Sequence, residues 1–112
     1  MTADISISPA VGTWVVRVAG AVIGETTGAL MLQNRAADPV VFFPQADIAT
    51  AFLEESDTQT ADAIGAASHM SIVAKSGTLK DAVVRYDQPA DGFQAIVGYL
   101  TFQGEKVAVE QV

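Results

Sequence analysis

The chain has no cysteine, a single histidine and only six basic residues among its 112. Without cysteine it can form no disulfide, hold no metal through thiolate and use no thiol nucleophile. One imidazole leaves too few of the usual ligands for a zinc centre, so no metal or other cofactor is expected. The bases Arg17, Arg35, Lys75, Lys80, Arg85 and Lys106 stand singly against thirteen acids, for a net charge of −7. A nucleic-acid module usually binds through a basic patch that releases counterions from phosphates, so nucleic acid is not an expected partner. "MTADISISPAVG" at the start has neither a basic residue nor a continuous apolar run, and no secretory signal is expected. No stretch approaches the roughly 20 apolar residues of a membrane span. These absences predict a soluble, cytoplasmic protein with no membrane partner, kept in solution by its acidity.

Half of the residues are hydrophobic and 17% are charged, which is too apolar for a disordered chain. The length suits one hydrophobic core, with residues 1–13 as an N-terminal arm and residues 14–112 as a single domain. Plentiful valine and dispersed glycine lean toward β-structure. "TWVVRVAG" alternates with period two, so it reads as a strand, and Gly20-Ala21 suits a type II′ hairpin turn into a returning strand "VIGET". Further strands are read at "ALMLQ", "PVVFF", "HMSIVAK", "LKDAVVRY" and "KVAVEQV", with "FQAIVGYLTF" as a short lead-in and a strand, and loops at "NRAAD", Ser76-Gly77 and "DQPADG". In "PQADIATAFLEES" the period changes: Ile48 with Phe52, and Ala49 with Leu53, fall at i, i+4. That spacing predicts one short α-helix that opens at Pro44 or Gln45 and stops by Ser56. The fold class expected is mainly β, a compact antiparallel meander or barrel-like sheet of seven or eight strands with one short α-helix.

Candidate chemistry is sparse. His69 is a weak candidate acid/base, which would need an orienting carboxylate and a substrate proton within reach. Otherwise it is a surface or half-buried strand histidine on a face shared with Ser71, Val73 and Lys75. Glu54, Glu55, Asp57 and Asp62 lack the spacing and mid-loop glycine of a calcium loop and read as a solvated acidic rim. No G-x-S-x-G, G-x-G-x-x-G or phosphate-cradling glycine-lysine loop occurs. Trp14, Phe42, Phe43, Phe52, Tyr86 and Phe102 are read as core. The groups to test for convergence on one small-molecule pocket are Arg17, Asp47, His69 and Tyr86.

In order along the chain, "VRVAGAVIGETT", "ALMLQ", "PVVFFPQADI", "AFLEES", "RYDQP" and "AIVGYLTF" resemble the domain of unknown function 427 family over roughly residues 14 to 109. The resemblance implies a compact, mostly β domain of a kind found in bacterial and fungal proteins, under a nucleotidyltransferase-like name. The family's Thr-x-Cys-Pro-x-Lys-Gly-x-Ala-x-Tyr motif, anchored on Gly65 and Ala67, places Gln59 at its threonine and Ala61 at its cysteine. Asp62 then stands at the proline, Ile64 at the lysine and His69 at the tyrosine. In a second motif, Trp-x-Tyr-x-x-Pro, Tyr86 and Pro89 are matched and Val84 replaces the tryptophan. Backbone-shaping residues are therefore kept, while the thiol and the lysine charge are absent. The stretch "TQTADAIGAASHMSI" is accordingly read as a structural turn leading into a strand beside a pocket of lost or changed function.

Three functions stay open. The first is a non-catalytic module that binds a small molecule or a partner. The second is a nucleotidyltransferase-like enzyme, with His69 as acid/base and Arg17 or Arg85 holding an anion. The third is a structural module, such as a homodimer formed through strand edges.

Overall fold

The computed structural model describes residues 5–34, 37–75 and 77–112. Ten strands are found among them: β1 Ile5–Pro9, β2 Trp14–Val18, β3 Ala21–Thr26, β4 Leu30–Asn34, β5 Ala37–Pro44, β6 Leu53–Asp62, β7 Gly65–Ala74, β8 Gly77–Pro89, β9 Tyr99–Phe102 and β10 Val107–Gln111. They form a seven-stranded sheet in the order β1-β4-β5-β9-β8-β7-β6 and a three-stranded sheet in the order β10-β2-β3. Every named pairing is antiparallel; the hairpin links require this for β2–β3, β4–β5, β6–β7 and β7–β8, and the non-sequential pairs β1–β4, β5–β9 and β10–β2 follow the same sense. The strands expected from alternation are present. β1, within the first 13 residues, adds an edge by pairing with β4. Of the loop read at "NRAAD", Arg35 and Ala36 lie outside the described residues, as does Ser76 of the Ser76-Gly77 turn.

Two expectations need correction. The first hairpin turns on Ala19-Gly20, not Gly20-Ala21, because Val18 pairs with Ala21 and leaves a two-residue loop. Ala19 and Gly20 have φ of 52° and 82°, the two positive angles of a type I′ turn, whose twist matches that of the flanking strands.

The second correction concerns the helix. No α-helix forms over Pro44–Ser56; two 3-10 turns, Gln45–Asp47 and Thr50–Phe52, stand there instead. An α-helix would direct the Ala49 N–H to the Gln45 carbonyl. Here it donates to the Ile23 carbonyl of β3 at 2.8 Å, and Ile48 bridges Gly24. The segment thus runs along the β3 edge, and Ile48 leaves the helical path to reach the core. Leu53, Glu54 and Glu55 are claimed by β7, where they pair with Ile72, Ser71 and Met70. Tertiary hydrogen bonding overrides a local i, i+4 pattern too short to be stable alone.

The larger sheet carries a core on each face. Neighbouring strand residues point to opposite sides, so Phe43 and Val83 face one core while Phe42 and Val84 face the other. The first core lies between the sheets, where Val16, Val18 and Ile23 meet Phe43, Met70, Ile72, Val83 and Leu100. In the second, Leu32, Phe42, Ala67, Val84 and Tyr86 are joined by Phe93 and Ile96 from the β8–β9 connection. No helix among the described residues is long and apolar enough to cross a membrane.

Candidate functional site

The β6–β7 hairpin is closed by Asp62-Ala63-Ile64-Gly65, with Asp first and Gly fourth as a type I turn favours. The Asp62 carboxylate accepts the Ile64 N–H at 2.9 Å and the Gly65 N–H at 3.3 Å through one oxygen. Its other oxygen accepts the Tyr86 hydroxyl at 2.7 Å. Gly65 has φ +146°, and a Cβ there would lie 2.6 Å from Pro89 Cα. Glycine is therefore required twice, by backbone angle and by the close approach of β8.

The two motif segments meet across β7 and β8. Gly65 is in register with Pro89, Ala67 with Tyr86, and His69 with Val84. Beside this seam lies a cleft of about 200 Å³, whose walls include Leu32, Val40, Phe42, Ile64, Val84 and Tyr86. Thr101 and Gln103 supply the polar atoms at its edge. Tyr86 is 8% exposed, and its ring lies 6.2 Å from that of Phe42. A larger cleft of about 420 Å³, bordered by Trp14, Met31, Val41, Phe102 and Val109, contains none of the motif positions.

The Tyr86 hydroxyl is held well above its ordinary range by burial, reinforced by the hydrogen bond to Asp62 and its charge. Because the folded value is raised, this stabilisation is complete below the unfolded tyrosine value of about 10 and is lost as pH rises through the folded value. We expect the urea midpoint to fall between pH 9 and pH 11.5, and Tyr86→Phe to show a shallower fall. Equal slopes for the two proteins would show that folding leaves the Tyr86 titration unshifted.

A second polar node flanks His69. Opposite His69, β6 bulges over Ser56, Asp57 and Thr58; opposite Ser71, β8 bulges over Lys80, Asp81 and Ala82. The bulges turn Asp81 toward β6, where its carboxylate accepts the Ser56 hydroxyl and, at 2.8 Å, the Thr58 hydroxyl. Those two hydroxyls, Ser56 first, hold the Asp81 carboxyl below its usual range. Asp81 also has φ 56°, unfavourable for a residue with a Cβ, and its N–H donates to Ser71 Oγ at 3.2 Å.

His69 is 7% exposed, more buried than a surface strand position. Its Nε2 lies 3.0 Å from Thr60 Oγ1, while Nδ1 is buried with no hydrogen-bond partner among the described residues. No carboxylate among the described residues is hydrogen-bonded to the imidazole, and the Asp81 carboxylate nearby accepts the two hydroxyls of β6 instead.

The other candidates stand apart. Arg17 pairs with Glu110 at 2.8 Å on the three-stranded sheet. Asp47 accepts the buried Thr26 hydroxyl at 2.7 Å and ties the first 3-10 turn to the end of β3. Arg85 is held by Asp87 at 2.8 Å and Glu55 at 3.3 Å. Of Arg17, Asp47, His69 and Tyr86, Tyr86 lines the motif cleft and the other three do not. In the acidic rim, Glu55 is committed to Arg85 and Asp62 to its turn. Sequence reading had not singled out Leu32 and Val40 as cleft residues, nor Asp81 as a node. The strand alternation contained the first two, whereas nothing local marks the Asp81 backbone angle.

These features define a class: an antiparallel β protein of two packed sheets, with a largely apolar cleft beside the β6–β7 hairpin. Residues 6–112 match the family described as domain of unknown function (DUF427), and the chain belongs to that family. No curated protein matches it.

Proposed function

We propose that the chain is a non-catalytic binding module of the cytoplasm whose cleft beside the β6–β7 hairpin takes a small, uncharged molecule with one aromatic ring. The observation that carries this reading is the cleft's composition. Its walls are aliphatic and aromatic, and the Tyr86 hydroxyl is already committed to Asp62. At about 200 Å³ it is comparable to apolar cavities that admit a single ring, which fill at about 150 Å³. Small apolar residues at the lysine and tryptophan positions of the family motifs, Ile64 and Val84, leave it both uncharged and open. An enzyme reading draws on the His69–Thr60 contact, which pairs an imidazole with a hydroxyl as a general base pairs with a nucleophile. It is weakened by the missing orienting group.

Indole, phenol and toluene are suitable probes. Wild-type protein is expected to show dose-dependent amide shifts around Leu32, Phe42 and Tyr86, with dissociation constants on the order of 1 mM or tighter for so few atoms. Val84→Trp fills the cleft and should abolish those shifts while preserving the β circular dichroism spectrum. Wild-type spectra unchanged by all three probes would refute the proposal. Turnover of a small ester or nucleotide that disappears in His69→Ala would move the reading to the enzyme.

A further inference from the structure

At one end of the inter-sheet core, the β2–β3 hairpin and the turn Thr50–Phe52 stand apart over the end of β7. Between them opens a groove of about 360 Å³. Its floor is the core itself: Val18, Ile23 and Ile72 line it at 3%, 4% and 0% exposure. Ala74 extends the apolar wall, and Phe52, a large aromatic left 43% exposed, forms one lip.

The groove's single charged lining residue is Lys75. Lys75 makes no ion pair among the described residues, although the chain carries thirteen acids and a net charge of −7. No acidic side chain lines the groove. A lysine can lay its aliphatic stem along apolar surface while its ammonium stays in water, as a point charge suited to a compact anion. An apolar trough with one unpaired cation at its lip is complementary to an anion carrying a hydrocarbon tail. A phosphate would call for several converging donors, and the lining offers one charged group.

We propose that this groove binds a free, medium-chain aliphatic carboxylate, with its tail along Ala21, Ala74 and Phe52, above the buried Val18, Ile23 and Ile72, and its head group on Lys75. The site is separate from the motif cleft, with no lining residue in common.

The test uses the full chain, isotope-labelled, with decanoate, decanol and decyltrimethylammonium at submicellar concentrations. Decanoate should shift the amides of Val18, Ile23, Ile72 and Ala74, and bind roughly tenfold more tightly than decanol. That factor corresponds to about 1.4 kcal/mol, slightly above the usual worth of an exposed ion pair. Lys75→Glu should remove the preference for decanoate while leaving decanol binding unchanged, and added salt should erode it in wild type. Val84→Trp should leave decanoate binding intact, so this proposal and the motif-cleft reading fail independently. Several results would overturn the inference: no decanoate shifts, equal binding of the cationic amphiphile, or Lys75→Glu behaving as wild type. Binding only to anionic vesicles would transfer the groove to a lipid surface. Self-association that buries Phe52, detected by sedimentation with the same shifts on dilution, would transfer it to a second copy.

Discussion

Gly65→Val should destabilise the protein by about 3 kcal/mol or more, the combined scale of a forced positive φ and an overpacked contact. The added side chain would meet the Gln88 carbonyl and the backbone of Pro89 and Ala90, all on the partner segment. Backbone cannot swing aside as a flexible side chain can. Relief would require opening β7 from the end of β8, which also breaks the Ala90 N–H bond to the Ile64 carbonyl at 2.7 Å. Gly20→Ala is the control. Gly20 also has positive φ, 82°, but a Cβ there meets nothing within 4 Å. It should cost only the backbone strain, about 1–2 kcal/mol. Urea denaturation of both variants measures the difference. Equal losses would mean that backbone angle alone, and not the approach of β8, makes residue 65 glycine.

Phe42→Ala and Phe43→Ala should each cost about 3–5 kcal/mol, the usual range for removing a buried phenylalanine ring. Their exposures are 1% and 0%, yet they serve opposite faces of the same strand. Phe43 packs edge-on against Phe102 with ring centroids 5.7 Å apart, in the core between the sheets. Phe42 packs with Tyr86 and walls the motif cleft. Equal damage to stability should therefore come with unequal damage to binding. Phe42→Ala should abolish or reshape ring binding in the cleft, and Phe43→Ala should leave it near wild type once the protein is folded. Chemical denaturation gives the first quantity and probe titration the second. A loss of ring binding in Phe43→Ala alone would place the binding surface on the wrong face of the sheet.

Much of the fold was legible locally. Alternation at Trp14–Val18 and around Val83-Val84 set strand type and the two facing directions, because successive strand side chains point oppositely whatever the partner. The Asp62-Ala63-Ile64-Gly65 turn was readable in part, as glycine's freedom and aspartate's short acceptor act within four residues. The segment Pro44–Ser56 shows where local periodicity misleads. Its i, i+4 spacing was genuine, but Ala49 found its acceptor on Ile23, distant in sequence, and Leu53–Glu55 found theirs on β7. Arg17, Asp47, His69 and Tyr86 share a polar chemical type, and type carries no information about which sheet a side chain ends on. Arg17 and Asp47 became fasteners for Glu110 and Thr26.

By itself, then, the sequence determined that the chain is β-rich and antiparallel, belongs with its family's hairpin motif, and lacks that motif's thiol and lysine. Those properties reside in residue identity and short-range periodicity. Long-range packing set the rest: the pairing of β5 with β9 that joins two meanders into one sheet, and the opposed bulges that carry Asp81 across β7 to Ser56 and Thr58. It also decided that Ile64, Val84 and Tyr86 should border a cleft with Leu32 and Val40, far from them in sequence. Such features depend on register and sheet order, which are set by the summed burial of many side chains and leave no mark on any one segment.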